Sequence, residues 1–374
     1  MTLPRVLFVS KPVVPPFHDG TKCLVRDVAT RLERVAPLVM ATPGAPALEG
    51  GRVKLESVYA DSGQYAPALL ENIRAATFLV ARAHADLWHF VFAPNPRTSR
   101  VGGTLKRLRG VPVVQTIASP PRDFAHVDRL LFGDRIVAQS AWTREAVATS
   151  ERARGLPERR VEVIHPPVGP IAPRDLEAKR AVRRTLSIPD DAKLLVYPGD
   201  LEVSSGAERV LRVAERLGTL LADVVVVFAY RPKTPRAPEI ARALAARLPK
   251  SSVRFTDTLP DVLALIDDAT AVLFPVDDIW VKVDLPIVLL ESMRLGVPIV
   301  VTREGPLAEL GGVVHVDGED TDALLRAVLE LLQSQDQQRK VAEAQRRWVE
   351  AECCAEVVAR RYEDIYLELL GRPE

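Results

Sequence analysis

The residues best suited to bind a polar ligand lie in the segment 284–296, where two acidic side chains flank an apolar run. Asp284 and Pro286 precede the run, Glu291 follows it, and the β-branched stretch 298–301 comes next. This order predicts a loop, a helix and then a strand. Phosphate and ribose bind at such helix starts in α/β proteins, because free backbone N–H groups point at the ligand. Glu291 is therefore a candidate acceptor of hydrogen bonds from a sugar diol, and a helix cap is the alternative.

A second candidate turn follows the first predicted strand, 5–10, and a proline-rich loop. Its polar residues and glycine are His18, Asp19, Gly20 and Thr21. A glycine directly before a helix lets a phosphate approach the helix start, where a side chain would block it. A tight turn also favours glycine, so both interpretations stay open.

Three cations are candidates for neutralising a phosphate: Arg231, Lys233 and Lys282. The first two end a predicted strand, and the third precedes the helix that carries Glu291. The loop 199–206 has a glycine at each end but is acidic, so compensating charge has to come from elsewhere. Each of the three could instead be a solvated surface cation.

Histidine and loop residues complete the candidates. His89 lies in the apolar strand 87–92, as either a core residue or a group at the site, and Asn95 follows in the loop. Gly305 and Pro306 follow the strand after Glu291. The spacing of residues reveals no Ser/His/Asp set and no metal-ligand cluster, and the GxGxxG and GxxxxGK[ST] patterns are absent.

Composition bounds the class of protein. The 374 residues are 47% hydrophobic and 26% charged, which fits two globular domains. A net charge of +1 gives no argument for nucleic acid. The three cysteines indicate neither a disulfide framework nor a metal site, which suits a reducing compartment. No signal peptide or transmembrane run is apparent, so we expect a cytoplasmic protein with at most peripheral membrane contact.

Strands and helices alternate through two similar halves, which predicts two doubly wound parallel sheets. Strands are predicted at 5–10, 38–41, 87–92, 111–116, 135–138, 161–164, 193–197, 224–230, 253–256, 271–275, 298–302 and 313–316. Helices are predicted near 22–35, 67–85 and 142–148, between the later strands, and through most of 321–370. The segment 165–173 contains four prolines and is interpreted as an interdomain linker. A cleft between the carboxyl ends of the two sheets is the default site.

Several motifs together resemble the retaining glycosyltransferases of the GT-B fold, specifically glycosyltransferase family 4. The segment 286–298 is similar to the family hallmark, in which two glutamates flank an apolar stretch. The segments 135–140, 163–168, 197–199 and 304–309 follow in the family's order, so the resemblance covers nearly the whole chain.

The resemblance implies an α/β protein with two Rossmann-like domains facing across a cleft. The expected division is an acceptor-side domain at 1–166, a nucleotide-sugar domain at 167–345, and a final helix at 346–374 that packs back on the first domain. The implied reaction moves a sugar from a nucleotide donor to an unidentified acceptor with retention of anomeric configuration. No metal or other cofactor is implied.

Roles follow for individual residues. By resemblance, Glu291 contacts the donor ribose and Gly20 lies near the donor phosphates. The expected donor-binding residues are Asp19, Gly20, Thr21, Gly199, Arg231, Lys233, Lys282, Pro286, Glu291, Gly305 and Pro306. The expected catalytic residues are His89 and Asp284. The expected acceptor-side residues are His18, Asn95 and Ser119.

The chain departs from the family pattern at four polar positions. Val283 stands where the first glutamate is expected, with Asp284 beside it. Asp200 and Ser205 stand where an arginine and a lysine usually grip the diphosphate, and Ala118 replaces a histidine. We therefore weigh a divergent transferase against a binding or scaffold subunit that lost the chemistry. A third hypothesis is a related enzyme with an unusual donor or acceptor nucleophile.

Overall fold

Strands and helices alternate along the chain in the computed structural model, which describes residues 2–17, 19–60, 67–81, 84–232, 234–249, 252–257, 259, 261–278 and 283–372. The strands are β1 (Arg5–Val9), β2 (Ala36–Ala41), β3 (Lys54–Ser57), β4 (Leu87–Phe92), β5 (Val113–Ile117), β6 (Arg135–Ala138), β7 (Val161–Val163), β8 (Lys193–Tyr197), β9 (Val224–Ala229), β10 (Val253–Thr256), β11 (Ala271–Phe274), β12 (Ile299–Thr302) and β13 (Val314–Val316). The helices are α1 (Gly20–Ala29), α2 (Leu69–Ala81), α3 (Pro96–Arg109), α4 (Ala141–Ala153), α5 (Leu176–Thr185), α6 (Gly206–Leu220), α7 (Ala237–Ala245), α8 (Val262–Asp267), α9 (Ile287–Leu295), α10 (Thr321–Gln333), α11 (Gln335–Glu352) and α12 (Ala355–Leu369).

The chain divides into two units. Unit 1 comprises Met1–Gly169, Trp280–Ile287 and Glu352–Glu374, and unit 2 comprises Pro170–Ile279 and Val288–Ala351. The chain first passes from unit 1 to unit 2 within the proline-rich segment 165–173. Among the described helices, none combines the length and the apolar character that crossing a membrane requires.

Each unit contains one parallel sheet. The strand order is β3-β2-β1-β4-β5-β6-β7 in unit 1 and β10-β9-β8-β11-β12-β13 in unit 2. The predicted fold class, with two doubly wound sheets, is confirmed. In each sheet the direction of winding reverses once, between β1 and β4 in unit 1 and between β8 and β11 in unit 2. Loops diverge at such a reversal and open a crevice at the carboxyl ends of the strands.

The central strands form because they are short apolar runs that can be buried on both faces. β9 has the sequence VVVVFA, and all but its last residue are buried. Polar residues are placed mainly in the connections, where several of them cap helices. The Asp19 side chain accepts from the backbone N–H of Thr21 at the start of α1, and Asp175 does the same for Ala178 in α5.

The elements β3, α3 and α5 were not predicted from the sequence. β3 is an edge strand with only partly buried residues, so it lacks an apolar run. α3 begins with a proline and contains Gly102 and Gly103. These glycines make room for Phe132, because a Cβ at Gly102 would lie 2.4 Å from the phenyl Cζ. The predicted C-terminal helical region also has a second break, at 353–354, which separates α11 from α12.

The last helix is part of the core of unit 1. Tyr362 and Tyr366 of α12 are fully buried with residues of α1 and the sheet. The Tyr366 hydroxyl lies 2.7 Å from Nδ1 of His89, and Nε2 of His89 lies 2.7 Å from Oγ1 of Thr116. Thr116 Oγ1 in turn lies 3.0 Å from the Tyr362 hydroxyl. This hydrogen-bonded chain connects α12 to β4 and β5.

Candidate functional site

The crevice of unit 2 is bounded by the loop after β8 and the start of α6. Both glycines of this loop are required by packing against Tyr197. A Cβ at Gly199 would lie 2.3 Å from the Tyr197 ring, and one at Gly206 would lie 3.1 Å from the Tyr197 hydroxyl and 2.9 Å from Val276. The Tyr197 hydroxyl donates to the carbonyl of Asp200 at 2.8 Å. The loop is therefore held tightly against the sheet by a buried tyrosine.

A carboxylate occupies the start of α6. Asp277, from the loop after β11, accepts from the backbone N–H of Ser205 at 2.9 Å and from its hydroxyl at 2.6 Å. Arg209 donates to the same carboxylate at 3.3 Å and to the carbonyl of Pro275 at 3.3 Å. Burial acts to raise the pKa of Asp277, but the hydrogen bonds from Ser205 and the charge of Arg209 hold it below its usual value.

Arg209 is a site candidate that sequence reasoning missed. Its guanidinium lies between the loops after β11 and β13, since a Cβ at Gly318 would be 2.5 Å from its Nη1. Only 9% of the residue is exposed. This burial could not be predicted from the sequence, because an arginine in an amphipathic helix usually extends into solvent.

The turn after β12 is open. Gly305 has φ of +58°, and a Cβ placed there would meet nothing within 4 Å. Pro306 is buried at the start of a short 3-10 segment, Gly305–Glu309. Thr302, at the end of β12, donates to the carbonyl of Val276 at 2.8 Å and so joins this turn to the loop after β11. A ligand group could therefore approach the backbone at Gly305.

Glu291 lies in the second turn of α9, which begins at Ile287. This position argues against a simple N-cap, because a cap precedes the first turn. The residue is half-buried. Its charge contributes to raising the pKa of Arg174, after hydrogen bonding to Asp261, which is the largest cause. The Arg174 guanidinium itself donates to Asp261 at 2.7 Å and to the carbonyl of Ala172 at 3.1 Å.

Of the three predicted cations, the structure describes only Arg231, which is exposed after β9. Lys233 and Lys282 lie outside the described residues, and so does His18. Pro286 is buried directly before α9. The structure therefore brings Gly199, Gly305 and Pro306 into unit 2 at the carboxyl edge of its sheet, together with Arg231.

The corresponding edge of unit 1 carries two lysines. Lys11 forms an ion pair with Asp19 at 2.8 Å, and Lys22 donates to the carbonyl of Val14 at 3.3 Å. Burial lowers the pKa of Lys22 below its usual value, and the charge of Asp19 opposes this effect. Thr21, which directly precedes Lys22, is also buried. Neither lysine was among the predicted site residues.

Gly20 is covered by apolar side chains. A Cβ at this position would lie 2.9 Å from Cγ1 of Val283 and 3.8 Å from Cγ1 of Ile287. The glycine therefore permits close packing against the residue that stands at the first-glutamate position. In this structure the space over Gly20 is filled by the protein itself.

Asp284 is fully buried in unit 1. Its Oδ2 accepts from the hydroxyl of Ser140 at 2.6 Å, and Oγ of Ser140 accepts in turn from the backbone N–H of Thr143 at 2.9 Å. The adjacent Gln139 is also fully buried, and its side-chain amide has no hydrogen-bond partner among the described residues. The catalytic role of Asp284 stays a prediction, and this geometry shows a carboxylate that anchors the start of α4.

The structure places His89 differently from the expected catalytic position. The imidazole is fully buried and both its nitrogens are hydrogen-bonded. Burial lowers the pKa of His89 to about 3, so the ring is neutral in the folded protein. Such a histidine cannot reach a substrate without opening the core, and we do not include it in the proposed site. Asn95 is exposed and caps α3, and Ser119 is half-buried after β5.

Comparison with known proteins agrees with this architecture. The chain superposes on HepE from Anabaena in complex with UDP-glucose, with a TM-score of 0.68, 14% identity, and coverage of 98% of this chain and 100% of the other. It superposes on sucrose-phosphate synthase from Thermosynechococcus elongatus with a TM-score of 0.70, 17% identity, and coverage of 99% of both chains. For α,α-trehalose-6-phosphate synthase from Burkholderia multivorans the TM-score is 0.72, the identity 14%, and the coverage 99% and 98%. These likenesses establish the GT-B fold.

The sequence of unit 2 is also similar to a known family. Residues 178–348 match the family model for glycosyl transferases group 1. This part of the chain is therefore similar to the glycosyl transferases of group 1, in agreement with the resemblance to family 4. No curated protein matches the chain in sequence.

Proposed function

We propose that the protein is a retaining glycosyltransferase that binds a nucleotide-sugar donor at the carboxyl edge of the unit 2 sheet. The observation that carries the proposal is the match of 178–348 to the group 1 family model, with Glu291 half-buried in the second turn of α9. A carboxylate in this position suits the two hydroxyls of a ribose. HepE, which shares the fold, was solved with UDP-glucose. The acceptor and the base of the donor nucleotide stay open.

The leaving diphosphate would be stabilised by electrostatics. Backbone N–H groups at the open turn of Gly305 and cations near the sheet edge can offset the charge that develops as the glycosidic bond breaks. Arg231 and Lys282 are the proposed cations, and Arg209 is a third source of positive charge. Retention of configuration and independence from a metal follow from the resemblance to the family.

A binding or scaffold subunit is the alternative function, and two observations favour it. Asp277 occupies the start of α6 with Asp200 in the same loop region, so a diphosphate would meet negative charge there. Val283 fills the space over Gly20, where a donor phosphate is expected by resemblance. Calorimetry with uridine and guanosine diphosphates separates the two functions, followed by a screen of nucleotide sugars for donor hydrolysis. Binding of neither diphosphate would favour the subunit.

Replacing Glu291 with alanine is expected to weaken nucleotide binding by about tenfold to a hundredfold, since a hydrogen bond to a charged group contributes about 1.5 to 3 kcal/mol. The dissociation constants of the two proteins for the diphosphate that binds would be compared by calorimetry. The melting temperature should change little, because the residue is only half-buried.

Glu330→Ala is a matched control, as Glu330 is an exposed carboxylate on α10 of the same unit. It should leave both binding and melting temperature unchanged. An unchanged dissociation constant for Glu291→Ala would reject the ribose contact. A large fall in its melting temperature would assign the residue a structural role.

Arg231→Ala and Lys282→Ala are each expected to weaken a nucleoside diphosphate by about tenfold or more, because charge-assisted bonds to phosphate are the strong class of hydrogen bond. Binding of the matching nucleoside, which has no phosphate, should be nearly unchanged. The measurement is competition of each ligand against a fluorescent nucleotide.

Arg347→Ala provides the control for loss of one positive charge, since Arg347 is exposed on α11. Equal losses for diphosphate and nucleoside would show that the tested cations do not contact phosphate. If neither ligand were affected by either change, the subunit hypothesis would gain support.

A further inference from the structure

The outer face of α2 in unit 1 is apolar. The helix buries Glu71, Ala75 and Leu79, which recur every four residues and lie against the sheet. Leu69 and Ile73 lie on the opposite face of the helix, with 76% and 52% of each residue exposed. The nearby Leu70 and Val80 are also exposed. A helix with an apolar stripe on the solvent side is unusual in a soluble protein and indicates that something covers it.

The neighbouring helix α3 combines exposed apolar residues with positive charge. Val101 and Leu108 are seven residues apart, face away from the sheet, and are 50% and 67% exposed. The helix sequence, PRTSRVGGTLKRLR, contains five basic residues and no acidic residue. Its outer face is therefore both apolar and cationic.

Three of these arginines are available to an external partner. Arg97, Arg100 and Arg107 are exposed, and their guanidinium groups make no hydrogen bond or ion pair with any residue in the described part of the chain. The acidic residue of α2, Glu71, is already bonded to Arg74 and to the backbone N–H of Ala60. Positive charge on this face is therefore not neutralised by the helix pair itself.

The two helices present these residues on one side of unit 1. Ala75 and Leu79 of α2 and Leu105 of α3 pack into the same core cluster on one face of the sheet. Arg109 of α3 donates to the carbonyl of Val80 in α2 at 2.8 Å, which fixes the helices as neighbours. We name this area the α2–α3 surface: Leu69, Leu70, Ile73 and Val80 of α2, with Arg97, Arg100, Val101, Arg107 and Leu108 of α3.

We propose that the α2–α3 surface binds peripherally to membranes that contain anionic lipids. Aliphatic side chains on helices that lie parallel to a membrane insert at the boundary between headgroups and acyl chains. Arginines beside them bind the anionic headgroups. The exposed leucine, isoleucine and valine side chains lie beside arginines that have no ion-pair partner among the described residues, and this combination fits such a membrane. The proposal is independent of the donor chemistry of unit 2.

The test is co-sedimentation of the full chain with vesicles of phosphatidylcholine alone and of phosphatidylcholine mixed with phosphatidylglycerol. We expect binding to the anionic vesicles only, and weaker binding as salt concentration rises. Changing Arg97, Arg100 and Arg107 together to glutamine should lower the partition coefficient by about a hundredfold, which corresponds to about 1 kcal/mol per basic residue. Changing Leu69 and Ile73 together to glutamine should lower it by about tenfold or more.

Matched controls come from exposed residues of unit 2. Leu176 and Leu220, which are 70% and 57% exposed, would be changed together to glutamine, and Arg180, Arg236 and Arg347 would be changed together in the same way. Both control proteins should bind vesicles as the unaltered chain does, and circular dichroism would show that every variant is folded. Absence of binding to anionic vesicles, or equal binding by the surface variants, would overturn the proposal. Binding in which surface and control variants lose equally would also overturn it, since it would reflect total charge.

Discussion

Replacing Tyr366 with alanine is expected to destabilise unit 1 by about 3 to 5 kcal/mol, as large-to-small changes of buried aromatic residues do. Tyr366 is fully buried in α12, its ring lies 5.6 Å from the imidazole of His89, and its hydroxyl is bonded to that imidazole. Removing the ring leaves a cavity beside a buried polar group. The free energy of unfolding would be measured with urea for the altered and unaltered chains.

Two further variants separate packing from hydrogen bonding. Tyr366→Phe keeps the ring and removes the hydroxyl, so it should cost about 1 to 3 kcal/mol, the penalty for a buried group left without its partner. Arg360→Ala changes an exposed residue of the same helix and should have an effect within about 0.5 kcal/mol. A Tyr366→Ala protein as stable as the unaltered chain would show that α12 is not part of the core of unit 1.

The regular parts of the fold could be predicted because buried strands and helices have a simple pattern of apolar residues in the sequence. β9 is an uninterrupted run of valines before a phenylalanine, and such a run has few alternatives in an α/β chain. β3 could not be predicted in this way, since an edge strand needs to bury little. α3 was missed for a different reason: its two glycines disfavour helix until Phe132, thirty or so residues along the chain, packs over them.

The candidate site was predicted less completely than the fold. The backbone turns at Gly199, Gly305 and Pro306 follow from strand ends, which the sequence reveals. The positions of the charged side chains could not be predicted, because the burial of a cation depends on loops that are distant in sequence. Arg209 is buried only because Asp277 and the turn at Gly318 meet around it. The same limit applies to His89, whose partners lie far away in β5 and α12.

The redistribution of charge bears on the choice between enzyme and subunit. Asp200 and Ser205 stand where the resemblance to family 4 predicts two cations, and the Ser205 hydroxyl donates to Asp277. Arg209 offsets that carboxylate. A diphosphate can compete for Arg209 only by displacing Asp277, so an active enzyme requires additional cations such as Arg231. Comparing diphosphate with nucleoside binding in Arg231→Ala and Lys282→Ala therefore tests whether the protein has such cations.

His89 should make stability depend on pH in a window where carboxylates contribute little. Its pKa is about 3 in the folded protein, because of burial, and 6.5 when unfolded. Between these values the unfolded chain binds more protons than the folded chain. The contribution of the neutral, buried His89 to the free energy of unfolding is therefore fully present above pH 6.5 and is lost as pH falls toward 3. The loss is about 1.4 kcal/mol per pH unit below the upper value. From about pH 8 to about pH 5 we expect the free energy of unfolding to fall by about 2 kcal/mol, measured with urea.

His89→Gln isolates this contribution, since an amide keeps a donor and an acceptor but does not titrate in this range. The variant should show a shallower fall over the same pH interval. His126→Gln, at an exposed histidine of unit 1, should retain the slope of the unaltered chain. Glu356 also has a shifted pKa. Burial acts to raise it, but hydrogen bonds from Cys354 and Arg31 lower it to about 2. The stability that Glu356 contributes is therefore lost only below about pH 4.5, outside the measured interval. Equal slopes in the unaltered and His89→Gln proteins would mean that the imidazole is protonated or exposed in the folded state.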